Sequence, residues 1–188
     1  MTALPKRQFT AQEYLAIERA AQFKSEFYKG EMFAMAGATE AHDLIVTNLI
    51  REIGNALKGR SCRVYSSDMR VKVTASGLYT YPDVSVLCGT SLFEDERRDT
   101  LLNPSLIVEV LSDSTEAYVR GKKFDHYRGL SSLQEYILIP QDDRKVEHYI
   151  RGQEERWLFS AVRGPVVEFP SIQCELALAE IFANVTLG

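Results

Sequence analysis

Two acidic residues interrupt the two most strand-like stretches of the chain. Asp83 follows Pro82 in "TYPDVSVLC", and Glu109 lies in the middle of the apolar run "LIVEVLS". A carboxylate buried without partners is strongly unfavourable. Side chains alternate between the two faces of a strand, so Asp83 shares a face with Ser85, and Glu109 shares a face with Ile107. The two acids can converge if their strands are neighbours in the sheet. Two carboxylates held together need a shared proton or a cation, and oxygen ligands suit a hard divalent ion. The pair therefore predicts a Mg²⁺ or Mn²⁺ site.

A basic segment, "VRGKKFDHYR", supplies the complementary charge. Arg120, Lys122 and Lys123 fall at the start of a predicted helix, where the macrodipole disfavours cations. A lysine beside a metal-bound water can orient the nucleophile and stabilise the negative charge that develops in phosphodiester hydrolysis. We therefore interpret the unfavourable placement as functional.

Each candidate residue also has a structural interpretation. Asp83 could form a local hydrogen bond at a turn, Glu109 could pair with Arg70, and the two lysines could be solvated helix residues. A histidine near a helix start, such as His42, is more often a cap or a surface residue than a ligand. His126 and His148 have no recognisable ligand spacing.

The elements that must position these residues follow from local patterns. Thr10 and Glu13 form a capping-box pattern before a short helix, and "SEFYKGEMFAM" predicts a hairpin that turns at Lys29-Gly30. A long amphipathic helix is predicted from about Thr39 to Leu57. Strands are predicted at "CRVYSS", "MRVKVT", "YPDVSVLC", "SLIVEVLS" and "EYILIP", a short helix at "RGKKFDHYRGL" ending near Gly129, and a meander from Lys145 onward closed by a helical "LALAEIFANV".

This order predicts an α/β (α+β) fold, a mixed β-sheet core flanked by helices and extended by β-hairpins at both ends. We expect residues 1–188 to form a single domain. The nucleotide-binding, serine-hydrolase and zincin signatures GxGxxG, GxxxxGK[ST], GxSxG and HExxH are not present in the sequence.

The composition of the chain indicates which binding partners and which cellular compartment to expect. Twenty-two Lys and Arg against 26 Asp and Glu give a net charge of -4, which disfavours nucleic-acid binding but still allows a local basic patch. The three cysteines, Cys62, Cys88 and Cys174, suggest neither a disulfide framework nor a zinc site, so we expect a reducing cytoplasm. No membrane span is predicted, and "MTALPKRQFT" has no apolar segment of a signal peptide.

With these residues in view, the chain resembles the PD-(D/E)XK nuclease superfamily and, within it, the Uma-type family of restriction endonucleases. The resemblance covers about residues 10 to 183. It is carried by the order and spacing of "FTAQEYLAIE", "SEFYKGEMFAMAG", "EAHDLIVTNL", "YPDVSVL", "SLIVEVLSDST", "RGKKFDHYR" and "LQEYILI". It implies a restriction-endonuclease-like fold.

The resemblance also implies roles for individual residues. It makes Asp83 the aspartate of the PD motif and Glu109 the acid of the second motif, and these two are the implied metal ligands. Leu111 stands where the superfamily has lysine, so Lys123 on the following helix is expected to supply the ammonium. Glu26 resembles an additional acid near the site.

Two points in this pattern stay open. Lys122 is an alternative to Lys123 as the catalytic lysine. The chain also departs from relatives at Val119, where many have an acid, and at "DST", which replaces a proline-containing turn.

The function implied is that of a divalent-metal-dependent endonuclease that cleaves DNA and leaves a 3′-hydroxyl and a 5′-phosphate. A homodimer is expected, because duplex cleavage needs two active sites and the long hairpins offer edges. The alternative is a degenerate nuclease fold that serves as a binding or scaffold module, with Asp83, Glu109 and Lys123 in a buried salt-bridge network. Net acidity favours this alternative modestly.

Overall fold

The computed structural model describes residues 7–187 and has the mixed α+β architecture that the sequence predicts. Within those residues the strands form a six-stranded sheet, a five-stranded sheet and a two-stranded ribbon. The strands are β1 (Ser25–Tyr28), β2 (Glu31–Ala34), β3 (Cys62–Ser66), β4 (Arg70–Val73), β5 (Leu78–Thr80), β6 (Val84–Cys88), β7 (Thr100–Leu101), β8 (Leu106–Leu111), β9 (Glu135–Pro140), β10 (Val146–Arg151), β11 (Trp157–Val162), β12 (Val166–Phe169) and β13 (Cys174–Ala177). The helices are α1 (Ala11–Glu18), α2 (Glu40–Ala56), α3 (Glu116–Tyr118), α4 (Phe124–Tyr127) and α5 (Leu178–Ile181), and a π-helical turn (Val119–Lys123) joins α3 to α4.

The six-stranded sheet has the order β11-β10-β9-β8-β6-β3, with β8 and β9 parallel and the other neighbours antiparallel. All six residues of β8 are buried, which confirms the central strand predicted from its continuous apolar sequence. Alternate residues face opposite layers. Val108 and Val110 pack in the core that includes α2, whereas Ile107 and Leu111 pack in the core on the other side of the sheet. Glu109 therefore points away from α2.

Helix α2 forms where the amphipathic pattern predicts it. Thr39 is its N-cap and accepts a hydrogen bond from the backbone N–H of His42. The predicted stripe, Ile45, Leu49 and Ile53, is fully buried against the sheet. Burying each of these side chains contributes roughly 1.5–3 kcal/mol, so packing fixes the helix, and with it His42, over the sheet.

The N-terminal hairpin is confirmed, but it does not extend the main sheet. Lys29 and Gly30 form its turn with φ values of 47° and 84°, the left-handed geometry that a two-residue hairpin requires. The hairpin belongs to the five-stranded sheet, whose order is β2-β1-β5-β4-β7. The expectation that hairpins extend the main sheet at both ends is therefore wrong at this end.

The strand predicted at "YPDVSVLC" is present, but it begins only at Val84, and a separate strand precedes it. Strand β5 ends at Thr80 in the five-stranded sheet, and β6 begins at Val84 in the six-stranded sheet. Pro82 lies between them, and proline has no N–H to donate to a strand ladder. Asp83 is thus the last residue of a crossover between sheets. The predicted strands "CRVYSS" and "MRVKVT" likewise fall in different sheets, as β3 and β4.

The helix predicted at "RGKKFDHYRGL" begins earlier than expected. Helical structure starts at Glu116 and passes through the π-helical turn before it ends at Tyr127. The basic residues therefore lie inside a helical segment, and the argument that they crowd a helix start is wrong. The π-helical turn places Lys123 inward, where it is 4% exposed, and leaves Lys122 exposed.

The C-terminal meander is only partly as predicted. Strands β10 and β11 form an antiparallel hairpin that extends the main sheet. Strand β12 instead pairs with β13, so the first part of "LALAEIFANV" is strand, and α5 is only four residues long. Alternation of apolar and polar residues identifies a strand but does not identify its partner.

The cysteine prediction is wrong for two residues. Cys62 and Cys88 form a disulfide between β3 and β6, at positions that are direct partners in the strand register. Their separation of 26 residues in the sequence concealed this contact. Cys174 is a free thiol.

Among the described residues, no helix is both long enough and apolar enough to cross a bilayer. The expectation made for the first residues of "MTALPKRQFT" concerns residues 1–6, which lie outside the described part of the chain.

Candidate active site

Asp83 and Glu109 are brought together by the pairing of β6 with β8. Val84 pairs with Val108 in an antiparallel register, and extension of that register by one residue sets Asp83 opposite Glu109. Residues directly opposite on antiparallel strands have Cβ atoms roughly 4.5–5.5 Å apart and project from the same face. The predicted neighbourhood of the two strands is confirmed. Asp83 Oδ2 accepts a hydrogen bond of 2.7 Å from the backbone N–H of Val110, which fixes the carboxylate over β8.

The carboxylate of Glu109 has two protein partners on one of its oxygens. Lys123 Nζ lies 2.8 Å from Glu109 Oε1, and the Tyr127 hydroxyl donates to the same oxygen at 2.7 Å. Both partners come from the π-helical turn and α4, which pack on this face of the sheet. The interpretation that Glu109 pairs with Arg70 is wrong, because Arg70 is 3.2 Å from Asp99 and donates to the Tyr81 hydroxyl.

Glu26, on strand β1, approaches the site from the five-stranded sheet. Its Oε1 lies 3.2 Å from Lys123 Nζ and also accepts a hydrogen bond from the Thr80 hydroxyl. Its Oε2 accepts from the Tyr118 hydroxyl at 3.0 Å. Both oxygens of Glu26 are therefore occupied by protein donors, and Lys123 bridges Glu26 to Glu109.

His42 also lies at the site, although the sequence favoured a cap or surface role. Its Nε2 is 3.3 Å from Asp83 Oδ2, and both side chains are partly exposed, at 18% and 15%. The N-terminus of α2 is tied to the same region by Gln141, which contacts Thr39 and donates to the carbonyl of Leu111. The site is thus open to solvent on the side of Asp83 and His42, and closed around Lys123.

Burial and charge set the protonation preferences of these groups. Burial raises the pKa of Glu109; the charge of Lys123 opposes this shift and the charge of Asp83 reinforces it. Burial alone would lower the pKa of Lys123, but Glu109 and Glu26 outweigh it and hold that pKa above its ordinary value. Lys123 is therefore a permanent cation, whereas Glu109 is an acid whose ionised form needs positive neighbours.

The pKa of His42 is raised as well. Burial lowers it, but the hydrogen bond and the negative charge of Asp83 outweigh this effect. Burial keeps the pKa of Tyr127 well above its ordinary value, so its hydroxyl stays a hydrogen-bond donor to Glu109.

The residues present fit a hard divalent cation in one respect. Asp83 uses Oδ2 and Glu109 uses Oε1 for contacts with protein donors, while Asp83 Oδ1 and Glu109 Oε2 accept no hydrogen bond from the described residues. Two such carboxylate oxygens on one face of the sheet are ligands of the type that Mg²⁺ and Mn²⁺ prefer. Residues 7–187 contain no cluster of three or more His, Cys, Asp or Glu side chains arranged as metal ligands, so further ligands would have to be water or substrate oxygens.

Of the residues predicted for the site, the structure brings Asp83, Glu109, Lys123 and Glu26 together, and it leaves Lys122 exposed. Leu111, at the position where the superfamily has lysine, is buried in the apolar core.

Three groups at the site were missed by sequence reasoning. The sequence did not point to Tyr118 or Tyr127 as site residues, and it favoured a cap or surface role for His42. The spacing of Lys123 and Tyr127, four residues apart on one helical segment, is the signal that could have identified Tyr127. No local signal identifies Tyr118 or His42, since their contacts with Glu26 and Asp83 span 92 and 41 positions.

Comparisons with known proteins identify the family of the chain. The model of the Uma2 family, described as "Putative restriction endonuclease", matches residues 11–182. Two proteins of Synechocystis sp. (strain ATCC 27184 / PCC 6803 / Kazusa) are similar to the chain. "Uncharacterized protein sll1609" is 40% identical over 159 residues, 85% of this chain and 90% of the relative, and "Uncharacterized protein slr1290" is 35% identical over 156 residues, 82% and 80%.

A solved structure is similar over nearly the whole chain. It is a crystal structure of "a putative nuclease belonging to DUF820" from Anabaena variabilis ATCC 29413. It matches with a TM-score of 0.75 and 22% sequence identity, over 93% of this chain and 98% of that chain. At this identity the match supports the fold.

Proposed function

The chain belongs to the Uma2 family, "Putative restriction endonuclease", and from this membership we propose that the protein is a divalent-metal-dependent endonuclease that hydrolyses DNA phosphodiester bonds. The observation that carries the proposal is the convergence on one face of the sheet of Asp83 and Glu109, each with one oxygen free of protein donors, beside the buried ammonium of Lys123. A bound divalent ion would supply Lewis-acid activation of the phosphate and of the attacking water.

The residues of the site divide the remaining work. Asp83 and Glu109 would hold the ion through Oδ1 and Oε2. Lys123 would position the attacking water and stabilise the charge that develops on the phosphate oxygens. Both oxygens of Glu26 are occupied by contacts with Thr80, Tyr118 and Lys123. We therefore assign this additional acid the role of holding Lys123 in place.

One observation favours the scaffold alternative. Lys123 lies between Glu109 and Glu26, and the three side chains are 5%, 6% and 11% exposed. This buried ion network pairs both carboxylates with the ammonium of Lys123, as a structural network would. The two functions differ in their need for the free carboxylate oxygens. A scaffold gains nothing from placing Asp83 opposite Glu109, since the two charges repel each other.

DNA as substrate is supported by the family description, and a single domain over residues 1–188 by the family match across residues 11–182. Location in the cytoplasm is opposed by the Cys62–Cys88 disulfide, because such bonds persist mainly in oxidising compartments.

The proposed reaction is tested by incubating the protein with supercoiled plasmid in Mg²⁺, in Mn²⁺ and in EDTA, followed by analysis of the product ends. We expect nicked or linear DNA in the presence of either metal, with 3′-hydroxyl and 5′-phosphate ends, and intact plasmid in EDTA. Cleavage that persists in EDTA would contradict metal dependence. Intact plasmid under all three conditions would favour the scaffold alternative.

A further inference from the structure

The outer edge of the six-stranded sheet is apolar and exposed. Strand β11 pairs with β10 and, within residues 7–187, with no other strand. Its sequence, WLFSAV, contains no charged residue and no proline. Leu158 and Phe159 are 66% and 57% exposed. Exposed apolar edge strands pair readily with another strand, and natural proteins usually protect them with charges, prolines or bulges.

Other sheet edges of the described chain carry such protection. Strand β3, at the opposite edge of the same sheet, has the exposed Arg63 as its second residue. Strand β2 begins with Glu31 and is four residues long, and β7 has only two residues. Strand β11 is the longest of these edges and carries no protecting feature.

The direction of the free backbone groups on β11 follows from its pairing. The N–H of Gly152 donates to the carbonyl of Arg156, which makes these two residues a hydrogen-bonded pair in the register that continues through β10 and β11. Hydrogen-bonded pairs alternate along an antiparallel ladder. The N–H and C=O groups of Trp157, Phe159 and Ala161 therefore point away from β10, toward solvent.

These groups are complementary to a second copy of the same strand. We infer that two copies of the chain associate through antiparallel pairing of β11 with β11, about a twofold axis at Phe159. In this register Phe159 lies opposite Phe159 of the second copy, and Trp157 opposite its Ala161. Each pair of outward-facing residues exchanges two hydrogen bonds, so this register uses all the outward groups of both strands. Shifting it by two residues leaves part of them unpaired.

The side chain of Phe159 agrees with this register. Phe159 would meet its own copy across the axis on one sheet face, an aromatic cross-strand pair of the kind that stabilises sheets. Because like edges pair about a twofold axis, the contact closes as a dimer and does not propagate into a fibre.

The homodimer expected from the sequence thus acquires a specific interface, the paired β11 strands. The tests of this interface do not depend on cleavage activity. The first test is the mass of the protein in solution by analytical ultracentrifugation over a range of concentrations. We expect a species of twice the 21.3 kDa chain mass. Phe159→Lys and Ala161→Pro should each weaken the dimer at least about tenfold, since the first places a charge on the axis and the second removes an outward N–H.

Leu92→Lys is the matched control, because Leu92 is exposed to a similar extent, 55% compared with 57% for Phe159, but does not lie on β11. It should leave the dimer intact. A wild-type protein that stays monomeric at every concentration would overturn the inference. A dimer that neither β11 variant weakens would overturn the interface.

The second test reads individual amides and uses only the wild-type protein. Hydrogen exchange by NMR should show the amides of Trp157, Phe159 and Ala161 slowed at least about tenfold when concentration is raised into the dimer range. The amides of Leu158 and Ser160, which bond to β10, should be protected at all concentrations. Uniform protection along β11, with no dependence on concentration, would contradict the inference even if a dimer forms elsewhere.

Discussion

Removal of the positive charge of Lys123 has consequences that can be worked out from its contacts. Its ammonium lies 2.8 Å from Glu109 Oε1 and 3.2 Å from Glu26 Oε1, and all three side chains are nearly buried. Lys123→Met keeps most of the side-chain volume but leaves two carboxylates together without a cation. Breaking a buried ion pair in this way costs about 3–5 kcal/mol of unfolding free energy.

The exposed neighbour provides the control for this prediction. Lys122→Met changes the same charge at a solvent-exposed position, and such surface changes usually alter stability by less than about 0.5 kcal/mol. Urea denaturation in EDTA gives both values. If Lys123→Met proves as stable as Lys122→Met, the buried contacts of Lys123 are refuted.

The same variants separate a nuclease from a scaffold when metal is added. A ligand present at 100 times its dissociation constant stabilises the folded state by about 2.7 kcal/mol. If Asp83 and Glu109 hold the ion, Mg²⁺ should restore much of the stability of Lys123→Met, because it replaces the lost positive charge. Cleavage should nevertheless stay about 10²-fold to 10³-fold slower than in the wild type. In a scaffold, Mg²⁺ leaves Lys123→Met unstable.

Mg²⁺ or Mn²⁺ should raise the melting temperature of the wild type, and Asp83→Asn should reduce the rise; equal rises in a thermal scan would point to nonspecific ion effects. Reduction of the Cys62–Cys88 disulfide should lower the unfolding free energy by about 3.5 kcal/mol, the loop entropy for a 26-residue separation, and the double serine variant should not respond to reductant in urea denaturation. Arg19 lowers the pKa of Asp99 from 3.8 to about 2 through a hydrogen bond, so the stabilisation is complete above pH 4 and disappears as pH falls through 2. Asp99→Asn should therefore cost about 1 kcal/mol at pH 7, after allowance for a carboxylate 36% exposed, and progressively less as the pH falls toward and below 2.

The parts of the fold that could be predicted are those specified by local patterns. The Thr10–Glu13 capping box, the Lys29–Gly30 turn and the stripe of α2 each follow from residues close together in the sequence, and all are present. The burial of β8 follows from its continuous apolar composition. In each case a short-range preference and the tertiary structure favour the same conformation.

The parts that could not be predicted depend on which strand pairs with which. The assignment of β1 and β5 to a separate sheet, the pairing of β12 with β13 and the Cys62–Cys88 disulfide are all long-range choices. The alternation of apolar and polar residues within a strand is the same whichever strand it pairs with, so the pattern cannot identify the partner. The early start of the helical segment at Glu116 was missed because its first turn contains no buried residue.

The two acids of the candidate site could be predicted because a charged residue is unusual in or next to an apolar strand. Glu109 stood out because it interrupts an apolar strand, and Asp83 because it precedes one. The choice of Lys123 over Lys122 came from a resemblance, and the π-helical turn provides its physical reason. His42 could not be identified in advance, since its contact with Asp83 depends on how α2 packs over the sheet.

The central claim is that the free oxygens of Asp83 and Glu109 hold the ion that drives cleavage. It is tested most directly by the initial rate of plasmid cleavage in saturating Mg²⁺ for Asp83→Asn, with the exposed acid variant Asp113→Asn as the matched control. We predict a wild-type rate for Asp113→Asn and a rate at least about 10²-fold lower for Asp83→Asn. Equal rates for the two variants, or no cleavage by the wild type, would contradict the account.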